Sequence, residues 1–127
     1  MAEKKKILIV DDELDIRTYL STLFEDHGYT TIQAQDGEDA LRQVETASPD
    51  LITLDISMPE KSGIKFYREI REHPRLKGVP IIIVTGVSGD IQKFISTRHQ
   101  VPPPDGFIAK PVEQDEILGL VKRLIDG

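Results

Sequence analysis

Five short apolar runs, each followed by a longer stretch of helical period, constrain the fold of this chain more than any other feature. The runs are Ile7–Val10, Thr31–Ala34, Leu51–Leu54, Pro80–Val84 and Phe107–Ala109. Three of them (Ile-Leu-Ile-Val, Leu-Ile-Thr-Leu and Ile-Ile-Ile-Val) are almost continuously apolar, as strands are when both faces are buried in a parallel sheet. Between the runs, Ile16, Tyr19, Leu20, Leu23 and Phe24 follow helical spacing, and Gly28 stands where a helix C-terminus favours it. Ala40, Leu41, Val44 and Ala47 repeat the pattern and stop before Pro49; Ile64, Tyr67 and Ile70 do so before Pro74. Ile91, Phe94 and Ile95 mark a fourth helical segment, and Ile117, Leu120, Val121, Leu124 and Ile125 a fifth. The Phe and Tyr residues at helical spacing read as core.

Strict alternation predicts right-handed crossovers with helices on both faces of the sheet. With 127 residues an open α/β sheet fits, whereas a closed barrel takes about 250. The expected architecture is a doubly wound, five-stranded parallel sheet of flavodoxin-like order 2-1-3-4-5. In such sheets ligands bind outside the carboxyl ends of the strands, at the switch point between the first and third.

Composition sets the outer limits. The length suits one domain, with a core over about residues 5–126, and no linker, repeat or low-complexity tail interrupts it. The chain stops at Gly127, just after the fifth helical segment, so no output domain is expected. A net charge of −6 argues against a nucleic-acid surface, which needs a basic face. The absence of cysteine removes disulfides, thiolate metal sites and cysteine nucleophiles, and fits a reducing compartment. Lys4-Lys5-Lys6 precedes only four apolar residues before Asp11-Asp12, too few for a signal peptide or a bilayer span. A cytoplasmic protein without membrane contact is expected.

Each predicted strand that borders the switch point ends in a chemically useful residue. In order these are Asp11-Asp12-Glu13, Asp55, Thr85 and Lys110-Pro111. Singly, each has a plain explanation. Asp11 or Asp12 could cap the first helix, Asp55 could be a turn residue before Met58-Pro59, Thr85 a strand-end cap and Lys110 an exposed lysine. Their joint arrival at one edge is what those explanations leave out. Three clustered aspartates carry about −3, which like-charge repulsion disfavours without a counter-ion. The oxygen-only donor set favours a hard divalent cation, with Mg²⁺ content to take one or two carboxylates plus waters and phosphate oxygens. Mg²⁺ and Lys110 together supply about +3, leaving a site suited to phosphoryl transfer, with an aspartate as nucleophile. A flavin phosphate would be repelled by Asp11-Asp12-Glu13. A dinucleotide or P-loop site lacks its glycine-rich turn, and Asp-Asp-Glu-Leu-Asp does not match the Asp-x-Asp-x-Thr of haloacid-dehalogenase-type phosphatases.

This ordered set resembles the receiver domain of two-component response regulators over nearly the whole chain, from Ile7 to about Ile125. The matching residues are Asp11-Asp12, Asp55-x-x-Met58-Pro59 with Gly63, Thr85-Gly86, Phe107 and Lys110-Pro111. The resemblance implies that Asp55 accepts a phosphoryl group from a sensor histidine kinase or a histidine phosphotransfer protein. It implies Mg²⁺ as cofactor, held by Asp11, Asp12, Asp55 and the Ser57 main-chain carbonyl. Lys110 would pair with Asp55 and then with phosphoryl oxygens, Thr85 would donate its hydroxyl, and Phe107 would be the switch aromatic. The Lys-Pro bond is expected to be cis, as is usual in the family. A face made of the fourth helical segment, the fifth strand and the fifth helical segment would pass the state to a protein target, and the only chemistry catalysed would be the domain's own phosphorylation and dephosphorylation. The stretch from Thr85 to Lys110 is longer than is usual in the family and carries Pro102-Pro103-Pro104, while Ser57 and Val87 match the two variable positions that in the family tune phosphoryl lifetime. Two other readings rank lower: a phosphate-independent interaction module, which would have lost some of these residues, and a phosphatase, which would need a substrate pocket and a separate acid/base. His27, His73 and His99 read as surface residues near helix ends.

Overall fold

The computed structural model describes residues 4–56, 62–86 and 104–126. The strands are β1 (Lys6–Val10), β2 (Thr30–Ala34), β3 (Leu51–Leu54), β4 (Ile81–Thr85) and β5 (Gly106–Ala109). The helices are α1 (Leu14–Asp26), α2 (Gly37–Ala47), α3 (Ser62–Glu72) and α4 (Gln114–Val121), with a π-helical turn at Lys122–Asp126. The sheet is parallel throughout, in the order β2-β1-β3-β4-β5. The helical segment expected around Ile91–Ile95 lies outside the described residues, as do Ser57, Met58, Pro59, Val87, His99, Pro102 and Pro103.

Alternation along the buried strands sorts their side chains into two cores. Leu8, Val10, Ile52, Leu54, Ile81 and Ile83 pack with Ala40 and Val44 of α2 and Phe66, Tyr67 and Ile70 of α3. Ile7, Ile9, Leu51, Ile82, Val84 and Ile108 pack on the other face with Leu20, Leu23 and Phe24 of α1 and Ile117, Leu118 and Val121 of α4. Burial on both faces is what the unbroken apolar runs required. The edge strand β2 reads Thr-Thr-Ile-Gln-Ala and buries only Ala34 completely.

Helix ends follow the local chemistry. At the end of α1, Gly28 adopts φ +93 and donates to the Glu25 carbonyl, while Tyr29 N–H donates to that of Phe24. This pair of bonds is a Schellman motif, and its usual apolar clasp is present as an edge-to-face contact between Phe24 and Tyr29, centroids 6.4 Å apart. At the start of α2 the Asp36 carboxylate accepts from Asp39 N–H at 2.8 Å. Two expectations need correction. β4 begins at Ile81 because Pro80 has no N–H to give the ladder, although its carbonyl still accepts from Ile52 N–H. Tyr19 is not core: it is 41% exposed, one of five apolar positions on a stripe that α1 buries through Leu20, Leu23 and Phe24.

Candidate functional site

Register decides where the site forms. Val10 pairs with Leu54 at the ends of β1 and β3, so Asp11 and Asp55 leave the sheet side by side. Hydrogen bonding then continues one residue past each strand. Asp11 N–H donates to Ala34 O, Asp55 N–H to Val10 O at 3.0 Å, and Lys110 N–H to Thr85 O at 2.8 Å. Three reactive side chains thus hang from backbone as fixed as the strands themselves. Gly63, at the start of α3, approaches the same point: a Cβ there would strike the Asp55 carbonyl oxygen and stand 3.0 Å from Ile56 Cα. The cis peptide bond expected between Lys110 and Pro111 is present.

Lys110 is the hub. Its Nζ lies 3.0 Å from Asp11 Oδ2, 3.1 Å from Glu13 Oε1 and 3.3 Å from Asp55 Oδ2. Asp11, Asp55 and Thr85 are each at most 2% exposed, while Asp12 and Glu13 face solvent. Carboxylate oxygens of Asp11, Asp12, Glu13 and Asp55 all lie within 4.8 Å of one another. Burial tends to lower the Lys110 ammonium, but hydrogen bonds to Asp11 and Glu13 and the charges of Asp55 and Asp11 outweigh it and hold it above the ordinary lysine range. Asp11 is raised, chiefly by burial, with the Asp55 charge adding to it; the Glu13 N–H and Lys110 pull the other way and lose. One ammonium divided among three carboxylates cannot offset so complete a loss of water around Asp11.

Four carboxylates against one ammonium leave a surplus of about three negative charges if all ionise, and the donor set is oxygen alone. The cluster therefore has the composition of a hard divalent cation site. Spacing at the strand ends brings Asp11, Asp12, Asp55 and Lys110 together as expected and puts Thr85 on the adjoining strand, hydrogen-bonded through its carbonyl to Lys110. Phe107 stands apart on β5, 38% exposed, beside a groove of about 460 Å³ shared with Leu120 and Arg123. The charge count of three aspartates omitted Glu13, whose reach to Lys110 depends on how the loop after β1 turns.

A family profile described as the response regulator receiver domain matches residues 7–122. This chain belongs to that family. Its receiver domain is 36% identical over 121 residues to the alkaline phosphatase synthesis transcriptional regulatory protein PhoP of Bacillus subtilis, covering 95% of this chain and 48% of that protein. It is 38% identical over 120 residues to the CAI-1 autoinducer sensor kinase/phosphatase CqsS of Vibrio cholerae, covering 93% of this chain but 17% of that one. The chain thus spans less than half the length of either relative. Among solved structures, the receiver domain of a signal transduction histidine kinase from Syntrophus aciditrophicus matches with a TM-score of 0.85 and 32% identity, covering 97% of this chain and 91% of that one. The receiver domain of sensor histidine kinase PA1611 from Pseudomonas aeruginosa matches with a TM-score of 0.85 and 27% identity, covering 98% and 100%. That structure has a magnesium ion coordinated in its active-site cleft. Receiver domains are signalling switches rather than classical enzymes, and they pair with sensor histidine kinases. No helix among the described residues is long and apolar enough to cross a membrane.

Proposed function

We propose that this receiver domain is a phosphorylation switch in which Asp55 accepts a phosphoryl group from a histidine kinase or a histidine phosphotransfer protein. The observation that carries this reading is the buried Asp55 carboxylate held 3.3 Å from the Lys110 ammonium in the acidic cluster at the strand ends. Asp11, Asp12 and Asp55 would hold Mg²⁺, with the Ser57 main-chain carbonyl as a further ligand. When bound, the ion would neutralise charge that develops on the phosphoryl oxygens. The chain's own residues do the rest. An Asp55 oxygen attacks the phosphorus of the donor phosphohistidine; the phosphorus–nitrogen bond breaks and its electron pair returns to the imidazole. Lys110 orients Asp55 and then pairs with the incoming oxygens, and Thr85 donates its hydroxyl to one of them. Reversal of the state needs only water, which attacks the phosphorus while the bond to the Asp55 oxygen breaks, releasing phosphate and restoring the carboxylate.

Phosphorylation turns Asp55 from −1 to about −2 near neutral pH. Movement of Thr85 toward the new oxygens frees space beside β4, into which the exposed ring of Phe107 on neighbouring β5 turns. Phe107 has no hydroxyl, so burying the ring desolvates no polar group. The face formed by β5 and α4 then changes for a protein target. The reading includes a cytoplasmic setting and neither nucleic-acid nor membrane binding by this domain. Acetyl phosphate with Mg²⁺ is expected to label Asp55 alone, with a base-labile bond and no uptake in Asp55→Asn. Wild-type uptake by Asp55→Asn overturns the assignment.

A further inference from the structure

Glu13 breaks a local rule. It occupies the N-cap position of α1 in extended conformation, where Ser, Thr, Asp or Asn would normally cap the first turn, yet its side chain makes no cap hydrogen bond. Its own N–H is satisfied by Asp11 Oδ1 at 2.9 Å. The carboxylate instead points away from the helix and places Oε1 3.1 Å from Lys110 Nζ, across 97 residues of sequence. A helix end left uncapped in favour of a contact with a site residue indicates that the contact has a purpose.

An ammonium has three protons to donate, and in this site three carboxylates take them: Asp11, Glu13 and Asp55. Asp11 and Asp55 are buried and fixed by the ladder. Glu13 is the partner at the mouth, its side chain 60% exposed against 13% for Lys110. Resting on the phosphorylation reading above, we infer that Glu13 is a positioning residue that competes with the phosphoryl group for Lys110. In the resting site it fills the solvent-facing hydrogen-bond position of the ammonium. A phosphoryl group on Asp55 needs that position, so Glu13 must yield, and its charge lies close enough to oppose the newcomer. The effect is a built-in bias toward the unphosphorylated state, adjustable by one surface residue without altering Asp55 or Lys110.

The test is the affinity for beryllofluoride, which mimics a phosphoryl group on a carboxylate, measured with Mg²⁺ by amide NMR. A separate Mg²⁺ titration is run on the same proteins. Glu13→Gln, isosteric and uncharged, is expected to bind beryllofluoride about threefold to fivefold more tightly, the range of one exposed ion pair. Its Mg²⁺ affinity should fall by no more than a similar factor, since the same charge attracts the cation, so beryllofluoride is compared at saturating Mg²⁺; the beryllofluoride gap should narrow in high salt because Glu13 faces solvent. Glu13→Asp keeps the charge but lacks the reach and suits the N-cap, so it should behave like Glu13→Gln and also melt higher. Unchanged or weaker beryllofluoride binding in Glu13→Gln overturns the inference, as does a Glu13→Asp that binds like wild type. A loss of Mg²⁺ affinity in Glu13→Gln as large as that in Asp12→Ala would make Glu13 part of the cation site and overturn it too. A wild-type protein that takes up no beryllofluoride overturns the phosphorylation reading itself, and is recognised from the wild-type curve alone.

Discussion

Lys110 serves three carboxylates at once, and Asp11 shows the shortfall most clearly. Burial first, and the Asp55 charge after it, keep the Asp11 carboxyl above its ordinary 3.8 in the folded chain. A raised carboxyl contributes stability that is full below its unfolded value and lost as pH rises through its folded one. At pH 7 Asp11 is therefore a net cost to the metal-free fold. Asp11→Asn should raise the metal-free Tm at pH 7 by on the order of a few degrees, with the gain shrinking as the pH falls toward 4. Thermal melts in chelator at several pH values check this; a gain that grows on acidification would contradict it. That Asp11, Asp12, Asp55, Thr85 and Lys110 share one edge was legible in the sequence because each lies at or just past the end of a strand whose apolar run marks it. Glu13 sits in the same acidic triplet, but its use was not legible. Spacing along a chain tells which loop a residue is on, and only the backbone turn at Glu13 sends its side chain to Lys110 rather than to the helix.

The elements themselves were readable wherever periodicity and punctuation agreed. Pro49 and Pro74 follow helix ends, and Gly28 closes α1 in a left-handed conformation that most side chains strain to adopt. A Cβ at Gly28 would meet nothing within 4 Å, so its replacement tests backbone conformation without steric complication. Gly28→Ala should cost about 1–2 kcal/mol, read by denaturant unfolding with an unchanged slope; a cost near zero would mean that α1 ends some other way. Tyr19 escaped the reading because a stripe of five apolar positions is wider than the face α1 turns inward. The joints between α2 and α3 were not legible either. His73 Nε2 meets Glu45 Oε1 at 2.7 Å while its Nδ1 accepts from the Arg75 and Leu76 N–H groups, and Arg75 joins the same glutamate. These contacts pair residues 28 and 30 positions apart, which no local pattern announces.

Across the molecule, two long-range ties hold the ends of the sheet. Tyr29 Oη donates to Asp126 Oδ2 at 2.6 Å, fastening the π-helical turn to the corner between α1 and β2. Burial, then the Asp126 carboxylate, pushes the Tyr29 phenol up to about 12. The neutral phenol thus contributes stability that is full below its ordinary 10.0 and lost as pH rises toward 12. Tyr29→Phe should lower stability at pH 8 by about 1 kcal/mol, and the gap from wild type should close between pH 10 and 12. Urea unfolding at pH 8 and pH 11 measures it, and a gap that stays constant would contradict the tie. The second tie is at the rim opposite the site. Arg71, nearly buried, donates to the Lys77 and Val79 carbonyls and to Asp105 Oδ2, and stacks on Tyr67; the same Asp105 oxygen accepts from Ile81 N–H. Asp105 immediately precedes β5 and Lys110 immediately follows it. Four residues of strand span roughly 13 Å, so β5 is a short stiff strut clamped at its foot by a guanidinium and tipped by the ammonium of the site. The ion pair at the far rim and the ammonium of the site are thus the two ends of one support, which β4 holds along its whole length and past its tip through Lys110 N–H and Thr85 O.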